Sequence, residues 1–131
     1  MKCDRLLNRD IIYEVAALGH TEYICIADCG LPIPKNVKVI DIAIVAGKPS
    51  FLEVLDAVRE ELVVESIVLA EEIEIKNSDL AEKMDNRFSS IPVMKVPHTE
   101  FKRMTENAKC IIRTGENTPY ANVILVGGVN F

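Results

Sequence analysis

Two histidines, His20 and His98, and an aspartate closing an apolar run, Asp28, are the residues of this chain best suited to proton chemistry. His20 and Asp28 both lie in the stretch from Gly19 to Pro34, GHTEYICIADCGLPIP, on either side of the apolar run Tyr23 to Ala27. An isoleucine-rich run of that length reads as a buried strand. In α/β proteins the loops at strand ends carry the chemistry, so both residues stand where a site is expected. His20 follows a predicted helix C-terminus, whose partial negative charge favours a cation. That placement suits a general acid, and it equally suits an exposed cap histidine. Asp28 can orient an imidazole or accept hydroxyls from a sugar, or it can simply open the Gly-Pro loop.

Further along, His98 and Lys102 are four residues apart at the start of a predicted late helix and share one face. Both can donate to one ligand, or they form an ordinary solvated helix face. Tyr120 and Asn122 are two apart at the expected start of a strand, which turns both side chains to one side and Ala121 to the other. A phenol and an amide on one face suit a polyhydroxylated ligand, although a hairpin carries such a pair equally well. Cys25 and Cys29 lie near His20 but read as thiols of a strand and its loop, and no metal is expected there. None of the four cysteines has zinc or disulfide-framework spacing, which implies a reducing compartment. No glycine-rich phosphate loop is present: Gly127-Gly128 precedes no helix and Arg113 to Asn117 lacks the lysine, so no nucleotide cofactor is expected.

The elements that must hold these residues alternate between helix and strand. Asn8 caps a helix carrying Ile11, Ile12, Val15 and Leu18, with Gly19 as a left-handed stop. After the strand Tyr23 to Ala27, a second extended segment spans Val37 to Val45, partly buried on both faces from Ile42. Ser50 and Glu53 form a capping box ahead of an apolar face of Phe51, Leu52, Val54, Leu55, Val58 and Leu62. A strand over Leu62 to Ala70, a helix from Asn77 or Ser78 to Phe88, a strand Pro92 to Val96 and a helix from Pro97 to Asn107 come next, with EEIEIKN undecided. Lys109 to Thr114 and Ala121 to Val126 are the last strands, joined by a link too short for a crossover helix and so expected to pair antiparallel. The fold expected is a single α/β domain spanning 1–131, a mostly parallel sheet flanked by helices with an antiparallel C-terminal strand pair.

Composition agrees with one globular domain: 131 residues, 49% hydrophobic and 27% charged. The net charge of -5 argues against a nucleic-acid partner, which needs clustered Lys and Arg. No stretch approaches the roughly 20 apolar residues of a membrane span and the N-terminus lacks a signal peptide, so a cytoplasmic protein is expected. Distance sets a further constraint. If Thr21 to Ala27 is extended at about 3.3 Å per residue, His20 and Asp28 stand roughly 20 Å or more apart, too far for one small ligand. Either the chain doubles back or a second subunit completes the site.

The segments GHTEYICIADCGLPIP, PHTEFKRMT and IRTGENTPYANVILVGGV, in order and at matching spacing, resemble the D-ribose pyranase and fucose mutarotase family across essentially the whole chain. The resemblance implies that His20 is the proton donor and that Asp28, His98 and the run Tyr120, Ala121 and Asn122 bind the sugar, with Lys102 similar to a family lysine near it. The loop DCGLPIP and His98 resemble the ribose branch rather than the fucose branch, while Cys29 replaces an alanine common there and implies sensitivity to oxidation. The activity implied by the resemblance is cofactor-free interconversion of the β-pyranose and β-furanose forms of D-ribose, feeding ribose catabolism. The assembly implied is a ring-shaped homo-oligomer, a homodecamer of two pentamers, with the sugar between neighbouring subunits. An L-fucose or other aldose mutarotase, a non-catalytic sugar-binding accessory of ribose uptake and a purely structural ring module are the alternatives.

Overall fold

The computed structural model describes residues 1–131. Asn8 opens α1 (Arg9–Ala17), its side-chain oxygen accepting from the Asp10 and Ile11 N–H groups at 3.1 Å. This satisfies donors that have no partner within the helix. Ser50 starts α2 (Phe51–Arg59) with a reciprocal capping box, and Phe51, Val54, Leu55 and Val58 form its buried face. The undecided acidic segment becomes a single turn, α3 (Ile73–Lys76), followed by α4 (Ser78–Arg87) and α5 (His98–Met104). No helix is long and apolar enough to cross a membrane.

Six strands form one sheet: β1 (Tyr23–Ala27), β2 (Val39–Asp41), β3 (Val64–Ala70), β4 (Val93–Val96), β5 (Ile111–Arg113) and β6 (Val123–Gly127), in the order β2-β5-β1-β6-β3-β4. β1 with β5, β2 with β5 and β3 with β4 pair parallel, whereas β6 is antiparallel to both β1 and β3. Five strands therefore run one way and β6 alone runs the other. The strand period of two divides the core between the faces of the sheet. Ile24, Ile26, Ile67, Leu69, Ile112, Val123 and Leu125 pack with buried residues of α1, α2, α3 and α4. On the opposite face Cys25, Ala27, Val68, Ile111 and Ile124 pack with Phe101 of α5 and with Leu31 and Ala108.

The mostly parallel sheet is as expected, but the last two strands do not pair with each other. They run in opposite senses, as their short link requires, yet β1 lies between them and β6 is central rather than an edge. All five residues of β6 are hydrophobic or glycine, a composition that suits a central strand buried on both faces. Two local expectations also fail. The extended segment at Val37 stops at Asp41, because its only neighbour, β5, ends at Arg113; beyond it Ile44 is 80% exposed. Gly19 is not left-handed, since α1 ends through an extended Leu18; Thr21 takes the left-handed conformation instead, at φ 69°.

Candidate active site

The direction of β6 brings the predicted residues to one rim of the sheet. Asp28 leaves the C-terminal end of β1, His98 follows the C-terminal end of β4, and Tyr120 and Asn122 enter the antiparallel β6 from the same side. Together with Gly30, Leu31 and Pro119 they line a cleft of about 280 Å³. A second cleft, of about 230 Å³, continues past Asp28 to Cys29, Glu116, Asn117 and Thr118. The first falls just below the roughly 300–1,000 Å³ typical of small-molecule sites.

Asp28 and Asn122 form a two-point clamp. The Asp28 N–H donates to Asn122 Oδ1 at 2.9 Å, and Asn122 Nδ2 donates to Asp28 Oδ2 at 3.1 Å. Gly30 N–H adds a bond to Asp28 Oδ1 at 2.9 Å. Asn122 is only 1% exposed, so its amide has no solvent to fall back on and holds the carboxylate in place. The loop behind it is tied to β5: Arg113 donates to the Cys29 carbonyl at 3.2 and 3.3 Å, and Thr114 binds the Ala27 carbonyl through both N–H and hydroxyl.

The half-buried imidazole of His98 stands edge-on to Tyr120 at 5.0 Å between centroids and lies over Phe101. Burial, seconded by the charge of Lys102, holds His98 below its ordinary value of 6.5, so at neutral pH the ring is uncharged. Its Nδ1 is buried without a hydrogen-bond partner in the chain. Tyr120 and Asn122 do share a side, but Tyr120 is at φ 56° in a turn ahead of β6, so a left-handed residue rather than strand alternation orients them. Ala121 is fully buried in the core and does not line the cleft. Lys102 lines a neighbouring groove with Thr99, Pro32 and Ile33 instead.

His20 is elsewhere. It precedes β1 while Asp28 follows it, so the two lie at opposite rims of the sheet; the chain does not double back. Its Nε2 meets Glu65 Oε2, from the start of β3, at 2.8 Å. Cys25 is buried in the strand and Cys29 faces the cleft, which separates the two thiols.

Four supporting residues carry no signal in the sequence. Glu72 accepts the His98 N–H with both carboxylate oxygens at 3.0 Å, capping α5 where its own N-cap, Pro97, supplies no side-chain bond. A helix opening on Pro without a capping side chain signals a need for an outside acceptor, but not which acidic residue answers it. Arg113 ends β5 and Thr114 follows it, beside a strand whose neighbours are distant in sequence, and Glu65 meets His20 across 45 positions; no local spacing marks these contacts.

Known proteins match this arrangement over its full length. A D-ribose pyranase of Geobacillus thermodenitrificans (strain NG80-2) is 57% identical over 131 residues, covering 100% of this chain and 99% of that protein. The structure of Bacillus subtilis RbsD complexed with D-ribose superposes with a TM-score of 0.97 at 44% identity, over 100% of both chains. The fucose mutarotase of Streptococcus pneumoniae, solved in complex with L-fucose, shares the fold at a TM-score of 0.76, with 22% identity over 95% of this chain and 94% of that one. A family model matches residues 1–130, and the chain belongs to the RbsD / FucU transport protein family.

Proposed function

We propose that this protein is a D-ribose pyranase that interconverts the β-pyranose and β-furanose forms of D-ribose, with His20 as the acid and the Asp28–His98–Asn122 cleft as the sugar site. The observation that carries the reading is full-length likeness to D-ribose pyranases and to a ribose-bound structure, at identities well above that to the fucose enzyme. The cleft chemistry supports it. A fixed carboxylate, an uncharged imidazole with a free buried nitrogen and a tyrosine edge offer acceptors, donors and a stacking surface to a small polyol.

Ring exchange requires only proton movements. The ring oxygen gains a proton as its bond to C1 breaks, and the C1 hydroxyl gives one up as the aldehyde forms. The C4 hydroxyl then attacks C1, losing its proton, while the carbonyl oxygen regains one; atoms and charge are unchanged overall. His20 gives the first proton, and Asp28 and His98 hold the hydroxyls and relay the others. Positioned acid–base groups typically contribute about 10² to 10⁴ in rate, ample for a reaction that proceeds unaided. Tyr120 completes the sugar contacts within the cleft, and Lys102, in the neighbouring groove, sets its charge beside His98.

Because His20 stands at the rim opposite Asp28, the site is completed between subunits: His20 of one chain meets the cleft of another. The assembly proposed is a ring-shaped homo-oligomer, a decamer of two pentamers, acting in the cytoplasm on ribose destined for catabolism. Saturation transfer between pyranose and furanose proton signals tests the reaction. Wild-type protein is expected to accelerate transfer and His20→Ala to abolish it; ribose binding without acceleration would refute catalysis, and faster exchange of L-fucose than of ribose would refute the substrate. Sedimentation as a monomer would refute the shared site.

A further inference from the structure

We propose that Glu65 is a positioning residue for His20, keeping one proton on Nε2 so that Nδ1 is the nitrogen that carries the second proton of the imidazolium, gives it to the sugar and retakes it; this rests on the catalytic role of His20 proposed above. The contact is a 2.8 Å hydrogen bond between His20 Nε2 and Glu65 Oε2. A carboxylate only accepts, so Nε2 must be the donor, and the neutral ring then carries its lone pair on Nδ1.

Three features of the backbone converge on this pair. Pairing of β3 with β6 shifts register between Val64, opposite Gly127, and Ser66, opposite Val126, leaving Glu65 as the extra residue of a bulge. A bulge takes a side chain out of strand alternation and re-aims it, a device common beside active sites. His20 sits in a tight turn in which Glu22 N–H binds the Gly19 carbonyl and the Glu22 carboxylate returns to the Gly19 N–H. The next residue, Thr21, is β-branched yet left-handed, a conformation that persists only where surrounding contacts impose it.

Both devices are anchored on the same glycine pair. The Thr21 N–H donates to the Gly127 carbonyl at 2.9 Å, and a Cβ at Gly127 would stand 3.0 Å from the Gly19 carbonyl oxygen. At Gly128 a Cβ would stand 3.1 Å from the Glu65 Cβ. The close approach of three chain segments therefore aligns the histidine and the carboxylate. Stability does not explain it: the two side chains are 51% and 42% exposed, and exposed ion pairs contribute little. An orientation held this firmly by backbone, for a contact worth so little to folding, is one that serves the imidazole.

Long-range ¹⁵N–¹H spectra of the imidazole rings test this directly, since the chain has only two histidines and His20→Ala assigns them. The expected results are the Nε2–H form of His20 in wild type and mixed tautomers in Glu65→Ala. In the same variant kcat should fall about 10- to 100-fold with KM little changed and the melting temperature retained. Glu65→Gln, whose amide oxygen still accepts from Nε2–H, should recover the tautomer and part of kcat. A neutral wild-type His20 whose single proton sits on Nδ1, or Glu65→Ala at full kcat while His20→Ala is inactive, would overturn the positioning role alone. His20→Ala at full kcat would instead remove the catalytic reading and the inference with it.

Discussion

Two inactive variants, mixed, are expected to make an active enzyme. His20 and Asp28 flank β1, whose five residues at about 3.3 Å each set them roughly 17 Å apart before the flanking turns are counted. The cleft that holds Asp28, at about 280 Å³, is only roughly 8 Å across as an equivalent sphere. No pentose bridges that gap within one chain, so under the shared site proposed above His20→Ala and Asp28→Ala should each inactivate every site of their own homo-oligomers, but by removing different contributions. If equal amounts are unfolded together and reassembled at random, about one quarter of the interfaces receive His20 from one parent and Asp28 from the other. Ribose ring exchange, read by saturation transfer, should therefore rise from background to about a quarter of the wild-type rate. Native mass spectrometry establishes that mixed oligomers have formed. Mixed oligomers with no recovered exchange would show that the two residues never meet across subunits, and the shared site would fall.

Asn122→Ala removes both clamp bonds and leaves the Asp28 N–H unpaired, which should cost about 2–4 kcal/mol in urea unfolding at fixed protein concentration and raise KM for ribose; an unchanged urea midpoint would show the clamp idle. His98 is held below 6.5, so its native state binds fewer protons than the unfolded chain: the stability of the neutral ring is full above about pH 6.5 and is lost as pH falls through the lowered native value. His98→Gln should flatten that acidic decline, and a stability profile identical to wild type would contradict it. Glu72→Ala uncaps α5 beneath His98 and should cost about 1 kcal/mol while weakening ribose binding; full affinity with normal unfolding would exclude the cap. Cys29 lines the cleft beside Asp28, so peroxide should inactivate the wild type and spare Cys29→Ala, whose own exchange rate should stay within about 2-fold. Equal peroxide sensitivity would clear Cys29.

Local sequence rules reach as far as local forces do. Asn8, and Ser50 with Glu53, satisfy helix N–H groups within a few residues of themselves, and the helices start where those residues stand. The run Tyr23 to Ala27 is buried because its alternation serves a core on each face. Partner choice is what such rules miss. Val37 to Val45 has strand composition throughout, but a strand is only as long as its neighbour, and β5 ends at Arg113. The short link between the last two strands fixes their relative sense correctly, yet nothing in that link says that β1 lies between them. At the site, residue type and place only nominate Asp28, His98, Tyr120 and Asn122 and leave an ordinary loop, helix face or hairpin equally open; the family resemblance is what singles them out, and the four share a cleft. Glu72 and Glu65, which hold the two histidines, act across 26 and 45 positions and leave no spacing to read.

The reversed strand is what gives this small sheet two functional ends. Had β6 run parallel to its neighbours, Tyr120 and Asn122 would enter at the rim of His20, and Asp28 would lose its clamp. Running antiparallel, β6 delivers Tyr120 and Asn122 to the C-terminal ends of β1 and β4, and then carries Gly127 and Gly128 to the opposite rim, against the His20 turn and the Glu65 bulge. One strand thus organises both the cleft and the His20 turn, and it does so at a separation of about five residues, roughly 17 Å, that a single sugar cannot span. In the reaction proposed above, neither half can be brought to the other by adjusting a loop, because both are fixed to the same rigid strand. Only another copy of the chain can supply the missing half, which is why catalysis in this fold should depend on assembly and not merely accompany it.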